Sequence, residues 1–295
     1  MRKPLVVVPG EVLWDLLPTG PVLGGAPANF AWHAHGLGAE VRLMTRIGHD
    51  PLGEEIIRRF TSVALPLETV EVDQQRPTGT VGVTFDEKHQ PQYKIHDGVA
   101  WDQLRSTAET RQLIARADIV CFGSLIQRTD TARAALRSLL TMASVDAWRI
   151  FDINLRAPYF SKELIEESLA LANVLKLNDD ELGTMAEWFG LYGTERELLA
   201  GLARRFNLKA IALTRGARGS LLMLGKEYAD QPGAEVQVRD TIGAGDSFTA
   251  AVALGLYSGW PLARANAHAA EVAAFVCTQA GGMPRLPGKF RIYPF

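Results

Sequence analysis

The chain has 295 residues, 47% apolar and 22% charged, with a formal net charge of −2. That is enough apolar material for one large α/β core, and no stretch is so poor in apolar residues as to argue disorder. No block of Lys or Arg offers an electrostatic footprint for nucleic acid or an anionic membrane, so a small-molecule partner is expected.

The first apolar run, Leu5 to Val8, is compact and β-branched, as suits a buried parallel strand. It follows Met1-Arg2-Lys3 but is cut by Pro9, Gly10 and Glu11, too short for an export signal. No run of about 18 apolar residues could span a bilayer, and a cytoplasmic location is expected. From Gly10 the alternation puts Glu11, Leu13 and Asp15 on one side. Asp15 then enters a loop rich in Gly and Pro, where a turn carboxylate and a ligand contact both fit.

Leu23 to Trp32 carries Gly24 and Gly25 into a predicted helix with Pro27 near its first position, where a missing N–H costs nothing. The helix closes at Gly36 and Gly38, Glu40 to Ile47 alternates as a strand, and Asp50 caps a helix that Pro51 starts. His33 and His35 point to different sides of their helix and make a poor metal pair. Thr78 to Asp86 and Pro91 to Asp97 form a predicted hairpin around Glu87-Lys88-His89-Gln90. Such a ribbon is unstable alone and is expected as a flap over the main sheet or against a second subunit.

Beyond Arg111 the rhythm is regular. Strands Ile119 to Gly123, Trp148 to Asn154 and Asn173 to Leu177 alternate with helices Asp130 to Ala143, from Ser161, and Asp179 to Phe189. This implies a mostly parallel sheet covered on both faces, with ligands beyond the carboxyl ends of its strands. Asp152, Asn154, Arg156, Asn178 and Glu181 lie on that edge. Asn178 and Glu181, three apart at a helix start, fit a capping pair and equally an outer-shell support for Mg²⁺. Leu208 to Thr214 is a further strand, and the glycines of Thr214 to Gly219 fit a tight turn before Ser220 to Leu224. Cys121 and Cys277, far apart in apolar runs, read as buried thiols rather than a disulfide.

Asp240-Thr241-Ile242-Gly243-Ala244-Gly245-Asp246-Ser247-Phe248 joins an expected strand, Glu235 to Arg239, to an Ala-rich helix expected to begin near Asp246. Two glycines let a ligand approach the backbone, and the first N–H groups of a helix lack intrahelical partners, so the stretch suits an anion. Asp246 is placed to act as a general base across that hole, although the helix dipole alone also explains an acid there. A last helix, Leu262 to Ala280, ends at Gly281-Gly282. With no long linker or repeat, residues 1–295 read as one domain, with lid segments at about 12–22 and 78–98 inserted. No Walker-type loop, protein-kinase set, nucleophile elbow or zinc-spaced His pair occurs, and Phe248 stands where a dinucleotide fingerprint needs its third glycine.

Gly24-Gly25-Ala26-Pro27-Ala28-Asn29-Phe30-Ala31 through Gly53, followed far downstream by Asp240 to Phe248, resembles the two signatures of the ribokinase-like, or PfkB-type, carbohydrate kinases. The resemblance spans essentially the whole chain. It implies a three-layer α/β/α sandwich with a mostly parallel central sheet and a small β lid, and a kinase using ATP and Mg²⁺. It also implies Asp246 as base toward a sugar's primary hydroxyl, an anion hole from the amides of Gly243, Ala244 and Gly245, and sugar contacts from Asp15, Gly25 and Asn29 with Gly24 allowing close approach. Asn178 and Glu181 match an N-x-x-E element supporting Mg²⁺ and phosphate, and Thr214, Gly216 and Gly219 fall where the nucleotide lies.

Asp152-Ile153-Asn154-Leu155-Arg156 resembles the D-x-N-x-R segment of fructokinases and of 2-keto-3-deoxygluconate kinases, implying Arg156 as a substrate contact. Fructose is the first acceptor to expect, with 2-keto-3-deoxygluconate, ribose or a nucleoside as alternatives and a non-catalytic sugar sensor as the distant one. Asp240 fits a monovalent-cation ligand such as one for K⁺, although Ile242 and Arg285 depart from the usual pattern, and a homodimer through the lid is an expectation.

Overall fold

Short aliphatic runs, each buried on both sides, set the architecture of this computed structural model, which describes residues 2–85 and 91–294. The first half contains β1 (Leu5–Pro9), β2 (Leu13–Leu17), β3 (Gly20–Gly24), α1 (Ala26–Gly36), β4 (Glu40–Gly48), α2 (Pro51–Ser62), β5 (Val70–Asp73), β6 (Gly79–Phe85) and β7 (Pro91–Ile95). Next come α3 (Ala108–Ala115), β8 (Ile119–Gly123), α4 (Asp130–Leu140), β9 (Trp148–Asp152), α5 (Lys162–Leu171), β10 (Val174–Asn178) and α6 (Asp179–Phe189). The chain finishes with α7 (Glu195–Phe206), β11 (Ala210–Thr214), β12 (Ser220–Leu224), β13 (Glu227–Gln231), α8 (Ala244–Tyr257) and α9 (Leu262–Cys277).

Nine strands form the main sheet in the order β13-β12-β11-β10-β9-β8-β1-β4-β5, parallel from β11 to β5 and antiparallel at β12 and β13. The period of two divides β1 between two cores. Val6 and Val8 pack with Phe30, Phe60, Leu254 and Val272 from α1, α2, α8 and α9. Leu5 and Val7 pack with Ile114, Leu136, Leu169, Met185 and Leu202 from α3 to α7. Burying each such aliphatic side chain contributes roughly 1.5–3 kcal/mol, and a strand apolar at every position is stable only between two helical layers. The expected three-layer sandwich is therefore formed.

From β1 the chain runs outward to β4 and β5, whereas from β8 it runs the other way to β9, β10 and β11. The crevice between the carboxyl ends of β1 and β8 is thus the switch point at which open α/β sheets place ligands. A second sheet, β3-β2-β6-β7, is built from the two segments expected as a lid. Asp50 holds its base: the carboxylate accepts from Gly53 N at 2.8 Å, capping α2, and from Thr78 N at 2.7 Å. The expected turn at Glu87 to Gln90 lies outside the described residues.

Several expectations change. Glu235 to Arg239 is not a strand. Its alternation turns Val236 and Val238 to solvent, and among the described residues its end is tied only by Arg239 N donating to Cys277 O at 2.8 Å. The strand before the anion loop is β13, earlier and at the sheet edge, so a coil rather than a strand feeds α8. That helix starts at Ala244, two residues before the expected position, and α9 stops at Cys277. Asp15 lies in a strand of the β2–β3 hairpin rather than a loop, paired with Val22. Cys121 is buried and Cys277 only partly so, and both are free. Among the described residues no helix is long and apolar enough to cross a membrane.

Candidate active site

The anion loop owes its shape to Gly243, which caps α8 in the left-handed region at φ +76°. A Cβ there would overlap the carbonyl of Gly282. Among the described residues the amides of Gly243, Gly245 and Asp246 find no backbone acceptor, while Ala244 N donates a long bond to Thr241 O at 3.3 Å. Among the described residues the Gly243 and Gly245 amides are thus available to a ligand, while Ala244 N is already partly occupied. Asp240 braces it from below, accepting from Ile242 N at 3.0 Å and Gly281 N at 2.9 Å. His33 does the same from α1, its Nε2 donating to Gly282 O at 2.9 Å; burial lowers this imidazole to about 4 and keeps it neutral.

Asp246 stands in the first turn of α8, half-buried. Asn29 Nδ2 donates to its Oδ2 at 2.8 Å. Burial raises the carboxyl to about 6 and the neighbouring Asp152 charge adds to this, while Lys176, Asn29 and Arg156 pull it back. A carboxylate in that range accepts a proton near neutrality without being permanently protonated.

Beneath this helix entrance lies a buried ion pair. Lys176 Nζ on β10 sits 3.1 Å from Asp152 Oδ1 at the end of β9, and Thr249 Oγ1 donates to Asp152 Oδ2 at 3.3 Å. A Cβ on Gly245 would come within 3.2 Å of Lys176 Nζ, so the ammonium is directly under the anion hole. Burial alone would lower the Lys176 value, but the charges of Asp152, Glu181 and Asp246 outweigh it and hold the proton.

At the acceptor side, Gly24 admits the Asp15 carboxylate: a Cβ would lie 2.9 Å from Asp15 Oδ2. Burial raises Asp15 above its usual value, against the charge of Arg156. Gly25, at φ +101°, packs on the Glu11 carbonyl, which a Cβ would approach to 2.8 Å. Arg156 is exposed and donates to its neighbour's carbonyl, Leu155 O, at 3.1 Å. Its charge reaches Glu11, Asp15 and Asp246 alike.

Both readings of Asn178 and Glu181 meet the same geometry. The capping box is complete, with Glu181 N donating to Asn178 Oδ1 and Asn178 N to Glu181 Oε2, each at 2.8 Å. Glu181 Oε1 also accepts from Leu155 N at 3.0 Å. No group of three or more His, Cys, Asp or Glu among the described residues converges to hold a metal directly. Glu181 is buried with both oxygens taken by backbone amides, so the residues here fit Mg²⁺ only as an ion that keeps its waters. Thr214 pairs in register with Asn178 on the adjacent strand, bringing the two together. Gly216 and Gly219, at φ +54° and +92°, shape the turn after it, and a side chain on Gly219 would strike Gln231 and Gly233.

Glu11 and Lys176 are the site residues that sequence reasoning passed over. Lys176 had a signal, a lone charge inside an apolar strand run, where an unpaired charge is not tolerated; Glu11, between two apolar strands, had a weaker one. Glu11 is 3% exposed, and burial pushes its carboxyl up to about 7, helped by the Asp246 charge and opposed by Arg156 and Arg128.

A helix entrance with unpaired amides faces a half-buried carboxylate at the ligand edge of a doubly wound sheet, an arrangement that suits a small phosphate-bearing molecule. The chain belongs to the pfkB family of carbohydrate kinases, whose model matches residues 20–288. It is 28% identical over 274 residues to a putative sugar kinase of Pyrococcus horikoshii, covering 90% of this chain and 84% of that one. It is 27% identical over 309 residues to fructokinase-2 of Solanum lycopersicum, covering 96% and 93%. The crystal structure of the Pyrococcus horikoshii sugar kinase in complex with ATP superposes with a TM-score of 0.77 at 25% identity, covering 95% of this chain and 94% of that one.

Proposed function

We propose that this carbohydrate kinase is a fructokinase, moving the γ-phosphoryl group of ATP to a primary hydroxyl of fructose with Asp246 as general base. The observation that carries this is the Asn29-held Asp246 carboxylate, raised to about 6, at the entrance of the helix whose Gly243 and Gly245 amides are free. The hydroxyl proton passes to Asp246 as the oxygen attacks phosphorus and the bond to ADP breaks. The amides of Gly243 and Gly245, with Lys176 beneath, take the charge of the transferring group. Asp15 and Asn29 orient the sugar, while Asn178, Thr214 and the turn at Gly216 to Gly219 receive the nucleotide. Mg²⁺, when bound, would neutralise phosphate charge, with Asn178 and Glu181 the candidates to support it. Asp240, whose carboxylate retains lone pairs, is the candidate contact for a monovalent cation. The four-stranded lid sheet excludes water that would otherwise compete as acceptor.

Support for fructose comes from the fructokinase relatives of similar length and from the Asp152 to Arg156 segment. Arg156, an exposed cation whose charge reaches Asp15, favours a second reading in which the acceptor is a sugar acid such as 2-keto-3-deoxygluconate. ADP release measured across fructose, ribose, 2-keto-3-deoxygluconate and adenosine separates the two. Fructose should give the highest kcat/KM. Equal rates on all four would defeat the assignment.

A further inference from the structure

We propose that Glu11 is a specificity-determining residue for the acceptor, taking a sugar hydroxyl other than the one that is phosphorylated. Glu11 follows β1 at the switch point and begins the crossing from the main sheet into lid strand β2. Its carbonyl is wedged against Gly25, which fixes where the side chain starts. Glu11 lines a narrow cleft, open to solvent, together with Ala26, Pro27, Phe30, Ser124 and Asn154.

Among the described residues Glu11 Oε2 has no hydrogen-bond partner, although the side chain is 97% buried. Native structures rarely leave such an atom unpaired, and functional sites are where they do. The missing partner is a group able to hydrogen-bond this carboxyl whether it is ionised or, with its value raised to about 7, protonated. Asp246 lies within electrostatic reach and disfavours an anion, and the described residues form no group of three or more His, Cys, Asp or Glu that could hold a metal. A hydroxyl meets that need without adding charge. Ala26, Pro27 and Phe30 form an apolar wall beside it, so an acceptor lacking that hydroxyl forfeits the bond to Oε2. Sites of this kind discriminate strongly.

The inference rests on the reading of the chain as a sugar kinase whose acceptor lies between Asp15, Asn29 and Asp246. The test measures kcat/KM for the native enzyme, Glu11→Gln and Glu11→Leu, with the best acceptor of the four-compound panel and its monodeoxy analogues. For one analogue the native enzyme should show a penalty of at least about 100-fold. In Glu11→Leu that penalty should fall below about 5-fold, with the KM for ATP unchanged. Glu11→Gln preserves the shape and keeps the test valid if the leucine variant does not fold; it should reduce the penalty at least about tenfold. Penalties identical in all three proteins overturn the role of Glu11 alone. A native enzyme that phosphorylates no sugar overturns it together with the kinase reading.

Discussion

Asn29 donates to Asp246 at 2.8 Å across 217 residues of chain, so the entrances of α1 and α8 meet at one carboxylate. Its bond favours the ionised form of the side chain, against the burial and the Asp152 charge that favour the neutral one. Removing it in Asn29→Leu should move the acid limb of kcat/KM, expected near pH 6, to higher pH. Activity at pH 6.5 should fall by more than activity at pH 8.5. A pH–rate profile checks this, and a uniform drop with an unmoved limb would show Asn29 serving only the sugar.

Asp246→Asn should abolish most turnover, by ~10²–10⁴-fold if general-base action alone is lost, while binding of ATP measured by calorimetry persists. The same substitution should stabilise the fold at neutral pH. The folded-state value, about 6, lies above the ordinary 3.8, so the native protein binds the extra proton between those two values and loses stability as pH rises through that window. Urea titrations at pH 7.5 should show a gain of up to about 3 kcal/mol, shrinking toward zero near pH 4. A gain that persists at pH 4 would point to a different cause.

Lys176→Met leaves the Asp152 charge buried and unpaired beneath the anion hole, and should cost about 3–5 kcal/mol in urea unfolding. It also removes a cation that holds Asp246 down, so the acid limb should rise. Adding Asp152→Asn should recover most of the stability, because the stranded charge is then gone, without restoring native kcat.

Gly24→Ala places a methyl group 2.9 Å from Asp15 Oδ2. The carboxylate must yield, so the KM for sugar should rise about tenfold or more with the KM for ATP unchanged. Gly243→Ala, strained at φ +76° and blocked by Gly282, should instead lower kcat and stability together.

Where local rules governed, the sequence was legible. Asp50 and Asn178 cap the helices they were expected to cap, and Ile119 to Gly123 and Asp179 to Phe189 form with the expected bounds. Glu235 to Arg239 misled because alternation marks a strand only where a neighbouring strand offers hydrogen bonds, and none of the described strands pairs there. Glu195 to Phe206 was passed over although Thr194 and Glu197 form a capping box in sequence.

By itself the sequence determined the alternation of strands and helices, the two glycine-led helix entrances and the acid in the first turn of α8, because each depends on neighbours within a few residues. Only the tertiary structure decided that Asn29 holds Asp246, that Lys176 and Asp152 pair beneath Gly245, and that Glu11 is buried beside the switch-point cleft with an oxygen no described residue partners. Those relationships depend on which distant segments are packed together and on how far water is excluded between them. No residue's own spacing encodes either quantity.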